Sequence, residues 1–273
     1  MSSQVRFDIE KIWECSSFKG LKKSIQIAHE LGYYVMIKPH LFLNFKAQDL
    51  WVGNLNWKTE QEWRTFEDSY FNFIVGLSKI ADSMEVEMLS IGTELGTFPQ
   101  KRKRKWSVLI DSVRSNYKGA ITYCANFDAY EDFPLWNKVD LIGIDAYFTI
   151  DTSQQAGLDN CRAGWKPIKK DLEKLSKKMG KKILFSEFGY TSSDYCAFKP
   201  FGGHGNGDVN LVAQANAYRA IFDTFWDEQW FSGGFSWVWR FDNDQPENYD
   251  NFSFSPQNKP AANIISKVYL RHR

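Results

Sequence analysis

Two glutamates stand where an acidic side chain is costly. Glu94 closes the run LSIGTELG and Glu187 closes ILFSEFGY, each at the end of an otherwise apolar stretch. A carboxylate on the inner face of a strand loses hydration, so it persists there only if it is paired or at work. Two such groups on one set of strand ends suit glycoside hydrolysis, with one carboxyl as acid and base and the other as nucleophile. The competing structural reading is an ion pair that ties the rim of the fold together. Neighbouring strand ends add Lys38 and His40, Asn126, Asp145 and Tyr147, and Trp239 with Arg240. Lys38, His40, Asn126, Asp145 and Tyr147 can hydrogen-bond sugar hydroxyls, and can equally stitch one strand end to the next. His40 has no second His or carboxylate at ligand spacing, so no metal site is read and no cofactor is expected.

These residues need elements to carry them. Short apolar runs at 34–42, 86–95, 120–127, 140–148, 182–190 and 233–241 read as strands buried on both faces, as in a parallel sheet. Helical patterns lie between them. Leu21, Ile25, Ala28 and Leu31 share a face before Gly32, a good helix stop. Thr59 with Glu62 reads as a capping box that opens a helix reaching about Ala81. Ile168, Leu172, Leu175 and Met179 repeat the pattern before Gly180, and Tyr218, Ile221, Phe222 and Phe225 repeat it again. Unbroken strand–helix alternation predicts an α/β fold with a parallel sheet. A G-x-G-x-x-G fingerprint and a P-loop are both absent, which argues against a doubly wound nucleotide fold. Polar groups at many strand C-terminal ends predict a (β/α)8 TIM barrel, taken as a single domain over residues 1–273.

Composition narrows the partners. With 34 Lys+Arg against 33 Asp+Glu and a net charge of +1, nucleic acid is not expected. No apolar run nears the ~20 residues of a membrane helix, so no membrane partner is expected either. The opening MSSQVRFDIEKIW has no signal-peptide core; the compartment is left open, cytoplasmic or, if residues precede this start, secreted. Eleven Trp, 12 Tyr and 22 Phe exceed what a core alone suggests, and Trp suits the apolar faces of sugar rings. Four cysteines, Cys15, Cys124, Cys161 and Cys196, lie far apart with no C-x-x-C pair, and Cys124 reads as a buried strand thiol. The basic run Lys101–Lys105 reads as a solvated helix start. Asp242, Asn243, Asp244, Glu247 and Asp250 read as a solvated loop rather than a calcium site, and the stretch 202–207 as a flexible loop beside Glu187.

The visible strands recur about every 40 residues, and a βα unit needs roughly 30 or more. Eight such units do not fit with only 33 residues before Tyr34. Either two strands come from an irregular N-terminal part, or the first quarter of the barrel is missing. A chain missing them would expose open edges, which makes a homo-oligomer possible.

Taken in order, MIKPHLFL, SIGTELGTF, ITYCANF, PLWNKVDLIGIDAYF, ILFSEFGYTS, GGFSWVWRF and FSPQNKPA resemble glycoside hydrolase family 113, retaining β-mannanases with a (β/α)8 fold. The likeness runs from about residue 20 to residue 262. It implies that Glu94 corresponds to the family's acid/base on strand four and Glu187 to its nucleophile on strand seven. The first visible strand is then the barrel's third, with strands one and two absent. The resemblance implies double displacement on β-1,4-mannan or manno-oligosaccharides, with an oligo- or polysaccharide as the partner. Trp239 is the expected platform beneath the sugar at the cleavage point; Trp237 shares its parity but lies deeper. Two alternatives stand beside this reading: a carbohydrate-binding or degenerate barrel without turnover, and a related activity on β-glucan or xylan.

Overall fold

The structure is a computed structural model that describes residues 3–7, 17–43, 50–202, 207–240 and 252–272. Six strands form one sheet in the order of the chain: β1 (Met36–Ile37), β2 (Met88–Thr93), β3 (Ala120–Asn126), β4 (Leu141–Asp145), β5 (Ile183–Phe188) and β6 (Phe231–Ser236). The pairs β1/β2, β2/β3 and β5/β6 run parallel. Sequential parallel strands joined by helices give the succession of a partial TIM barrel, since a doubly wound sheet reverses its order at a switch point. Contacts divide the chain into two compact units, Met1–Ala125 with Ala129–Ile142, and Asn126–Asp128 with Gly143–Arg273.

In the first unit, α1 (Phe18–Glu30) precedes β1, α2 (Glu60–Ser83) precedes β2, and α3 (Thr97–Lys101) and α4 (Lys103–Asn116) precede β3. The predicted capping box opens α2: Thr59 Oγ1 accepts from the Glu62 N–H at 3.2 Å, and Glu62 Oε2 accepts from the Thr59 N–H at 2.9 Å. The Thr59 hydroxyl and N–H hold the Glu62 carboxyl below its usual range. One face of α2 buries Trp63, Phe66, Tyr70, Ile74 and Leu77, against Phe98 and the α4 residue Trp106. Each fully buried aromatic or aliphatic side chain contributes about 1.5–3 kcal/mol. Tyr70 keeps its hydroxyl satisfied by donating to the Ile91 carbonyl at 2.7 Å.

The second unit wraps α5 (Leu158–Met179), α6 (Leu211–Phe225) and α7 (Pro260–Arg271) around β5 and β6. Every residue of β5 is buried. Gly180 ends α5 at φ +62°, a left-handed stop that suits glycine. Asn210 caps α6 by accepting from the Ala213 N–H at 2.9 Å, and α6 buries Tyr218, Ile221, Phe222 and Phe225 as its periodicity predicts.

Some expectations need correction. The run 34–42 pairs over only two residues, Met36 with Met88 and Ile37 with Leu89, and from Lys38 on it has left the ladder. The last strand lies at Phe231–Ser236 rather than 233–241; Trp237 and Val238 form a turn, so Trp239 stands three residues beyond the strand. Of the predicted α1 face only Ile25 is buried, and Leu31, one residue past the helix, is 65% exposed. The basic run is not simply solvated. Arg102 interrupts the helix between α3 and α4, pairs with the buried carboxylate of Glu67 and with Glu60 at 2.9 Å, and lies over the Trp63 ring. Cys124, Cys161 and Cys196 are buried thiols, and Cys124 Sγ donates to the Ser90 hydroxyl at 3.2 Å. Cys15, the acidic stretch 242–250 and residues 203–206 lie outside the described residues.

Candidate active site

Glu187 stands within a slip of strand register, and Glu94 directly after one. From Ser90 to Thr93, β2 takes three steps while β3 takes two, from Thr122 to Cys124. The extra residue falls at Gly92, where the Ser90 side chain bonds both the Gly92 carbonyl, at 2.8 Å, and its N–H. Glycine is required there, since a Cβ would come within 2.9 Å of both Trp106 and the Tyr70 hydroxyl. A bulge of this kind re-aims the residues that follow it. Glu94 leaves the strand with φ +53°, its N–H held by the Cys124 carbonyl at 2.8 Å, and its side chain is half-buried. The indole Nε1 of Trp51 donates to Glu94 Oε2 at 3.4 Å.

In the second unit β5 takes three steps from Phe185 to Phe188 while β6 takes two, from Gly234 to Ser236. Ser186 and Glu187 occupy this slip. Glu187 is 8% exposed, and Oε2 accepts a hydrogen bond from the Tyr147 hydroxyl at 2.8 Å. Burial first, then the negative charge of Glu187, raise the Tyr147 phenol well above its ordinary range, so it stays a donor throughout the working range of pH. One residue back along β5, the Ser186 hydroxyl donates to Asp145 Oδ1 at 2.7 Å. The Ala146 N–H donates to the Glu187 carbonyl at 2.7 Å and fixes the backbone from the β4 side. This set therefore ties Asp145 and Tyr147 to the β5 glutamate segment, with Asp145 fully buried.

The remaining predicted residues fall at strand ends. Lys38 is half-buried and His40 exposed just past β1, where the Thr93 hydroxyl holds the Pro39 carbonyl at 2.9 Å. Asn126 closes β3 and donates to Asp128 at 2.8 Å. Trp237 and Trp239 are both exposed, the latter at 48%. The Trp237 N–H donates to the Phe188 carbonyl at 2.8 Å, and the Trp237 carbonyl lies so close to Gly189 that a Cβ there would fall 2.1 Å away. Trp239 lines an open cavity of about 500 Å³ with Gln257, Asn258, Lys259, Pro260, Ala262 and Asn263. Gln257 clamps the chain beside it, accepting from the Arg240 N–H at 2.7 Å and donating to the Arg240 carbonyl at 3.0 Å. Sequence reasoning missed Trp51 and Gln257, because neither belongs to a periodic run. The close W-V-G pattern around Gly53 was the available signal for Trp51.

Among the described residues no group of three or more His, Cys, Asp or Glu side chains is placed to hold a metal ion, and no helix is long and apolar enough to cross a membrane.

The sequential parallel strands are those of a partial TIM barrel. The model of Glycoside Hydrolase Family 113 matches residues 1–259, and the chain belongs to that family. No curated protein matches the sequence. Among solved structures, the β-mannanase AaManA from Alicyclobacillus acidocaldarius, in complex with ManMIm, superposes with a TM-score of 0.82 at 25% identity, over 93% of this chain and 78% of that one. A second family 113 β-1,4-mannanase, also a complex, gives a TM-score of 0.78 at 25% identity over 92% and 78%. A Faecalibacterium prausnitzii β-glucuronidase shares the fold alone, with a TM-score of 0.57 and 17% identity over 76% of this chain and 35% of that one.

Proposed function

We propose that this glycoside hydrolase cleaves β-1,4-mannan or manno-oligosaccharides with retention of configuration, Glu187 acting as nucleophile and Glu94 as acid/base. The observation that carries the assignment is Glu187, buried and bonded to the Tyr147 hydroxyl, whereas Glu94 at the end of β2 is half-buried. A nucleophile benefits from a fixed, dry position, and an acid/base must exchange protons with water. The two family relatives are a β-mannanase and a β-1,4-mannanase, which supports the choice of mannan.

In the first step a Glu187 oxygen bonds to the anomeric carbon as the glycosidic C–O bond breaks. Glu94 gives its proton to the departing oxygen, and the leaving sugar departs with a new hydroxyl. In the second step Glu94, now a carboxylate, takes a proton from water. The water oxygen bonds to the anomeric carbon, the Glu187 ester breaks, and Glu94 is again protonated. Two inversions give net retention. This chemistry requires the two carboxyl groups about 5–5.5 Å apart. Trp239 and Trp237 supply the aromatic faces for sugar rings, and Lys38, His40 and Asn126 supply hydroxyl contacts. Tyr147 holds the Glu187 carboxylate through its hydrogen bond, with Asp145 acting one step further back through Ser186.

Proton NMR of the protein with β-1,4-mannohexaose, and with cello- and xylohexaose in parallel, tests the reading. Fresh β-anomer from mannohexaose is the expected result. Fresh α-anomer contradicts retention, and turnover of only cello- or xylohexaose contradicts the sugar. Silence on all three from a cooperatively melting protein contradicts the enzyme itself.

A further inference from the structure

Trp51 is held in place by backbone contacts. It caps the 3-10 turn Val52–Asn54, with the Asn54 N–H donating to its carbonyl at 3.0 Å. Its ring lies flat on Gly53: a Cβ at that position would fall 2.3 Å from ring carbons Cη2 and Cζ3. Gly53 in turn packs on the segment after Glu94, since a Cβ on Gly96 would stand 3.0 Å from the Gly53 carbonyl oxygen. Two glycines in contact therefore let the turn approach the Glu94–Gly96 backbone closely enough for the indole N–H to reach Glu94 Oε2 at 3.4 Å. Trp51 nonetheless remains 39% exposed. The outcome is an indole with its edge on a carboxyl group, one face on glycine and part of its surface open to solvent.

An exposed indole of this kind suits the apolar C–H face of a sugar ring. Its position beside Glu94 determines which sugar. The group that protonates a glycosidic oxygen stands next to the sugar that departs, and the same group later deprotonates whatever hydroxyl attacks. We propose that Trp51 is the platform for the departing sugar, and so also for a sugar that arrives as acceptor in the second step. This rests on the acid/base assignment of Glu94. It adds a sugar-binding residue on the leaving-group side, fixed by Gly53 and Gly96.

The transfer-to-hydrolysis ratio tests this directly. A dinitrophenyl β-mannoside forms the glycosyl-enzyme without a sugar on the leaving side, and mannobiose is then offered in competition with water. Both nucleophiles lose their proton to the same base, so a misplaced Glu94 slows both and leaves the ratio alone. Loss of a sugar platform lowers the ratio selectively. Trp51→Ala is expected to lower it about tenfold, the effect of losing one ring's worth of apolar contact. Trp51→Phe, which keeps a ring, is expected to restore most of it. Gly53→Ala, which pushes the indole off its seat while leaving Trp51 in the chain, is expected to lower it as well. A ratio unchanged in Trp51→Ala overturns the proposal, as does Trp51→Phe behaving like Trp51→Ala.

Two further measurements keep the proposal separate from the reading beneath it. In Glu94→Ala, azide should restore turnover of the dinitrophenyl mannoside and leave as β-mannosyl azide; failure there overturns the role of Glu94, whatever the ratio shows. In the turnover-free Glu187→Ala protein, Trp51→Ala should weaken mannotetraose binding, measured by calorimetry, about fivefold or more. Unchanged binding there overturns the platform independently of catalysis.

Discussion

The two glutamates are set in their strands by the same device and finished in opposite ways. Glu187 lies within, and Glu94 directly after, a place where the strand takes one step more than the neighbour it pairs with. Around Glu187 that slip is closed off: the residue stays within the strand, is 8% exposed, and is bonded to a phenol that burial keeps protonated. Around Glu94 the slip opens outward. The residue has left the strand at φ +53°, is half-buried, and meets its indole partner at the longer distance of 3.4 Å. A similar backbone irregularity thus accompanies one buried, hydrogen-bonded carboxylate and one that is half-buried. Retaining hydrolysis needs that division, because an attacking oxygen must be aimed while an acid/base must be reprotonated.

The most severe test of the comparison is Glu187→Ala. Removing the proposed nucleophile should cost about ten-thousandfold or more in kcat on mannohexaose, with cooperative melting retained. Activity near wild type would remove Glu187 from the mechanism. Glu94→Ala should cost about a hundredfold to ten-thousandfold in kcat/KM on the same substrate, and far less in kcat/KM on a dinitrophenyl mannoside, whose leaving group needs no proton as the glycosyl-enzyme forms. Equal losses on both substrates would erase the distinction between the two carboxylates.

Tyr147→Phe probes how firmly Glu187 is held. A hydrogen bond to a charged group is worth about 1.5–3 kcal/mol, so kcat should fall about tenfold to a hundredfold while KM changes little. An unaltered kcat would mean that the 2.8 Å bond does not position the carboxylate. The smallest effect concerns the segment that follows Glu187. Asp194 accepts from the Gln154 and Asn210 side chains and from the Asp208 N–H, and these donors hold its carboxyl below the usual range. Because the folded value lies below the unfolded one, the stability it provides is complete above the ordinary carboxylate range and is lost as pH falls through the folded value. The melting-temperature gap between wild type and Asp194→Asn should therefore be widest at neutral pH and narrow toward about pH 3.

Much of this arrangement is legible in the sequence, and the losses have physical causes. Long amphipathic patterns such as Tyr218, Ile221, Phe222 and Phe225 translate directly into buried helix faces, because many residues report the same period. The Thr59–Glu62 box survives for a local reason, since both of its hydrogen bonds are made within one turn. Strand ends fare worse. The apolar run through Trp237 and Trp239 gives no sign that the ladder stops at Ser236, which depends on where the neighbouring strand lets its backbone pair. Register slips are invisible for the same reason: Gly92 marks the first only through the side chains that crowd it in the fold. Glu94 and Glu187 stand out because an acid ends an apolar run. Trp51 does not, being an isolated aromatic in a turn whose seat on Gly53 exists only after folding.

The central claim is that Glu187 forms a bond to the sugar. A 2-deoxy-2-fluoro-β-mannosyl fluoride loses fluoride as the nucleophile's oxygen takes its place, and the electron-withdrawing fluorine at carbon 2 slows release of the adduct. Peptide mass spectrometry of the trapped protein should place one fluoromannosyl group on the carboxylate of Glu187. An adduct on any other residue, or turnover of mannohexaose by a protein that never acquires the label, would contradict the account.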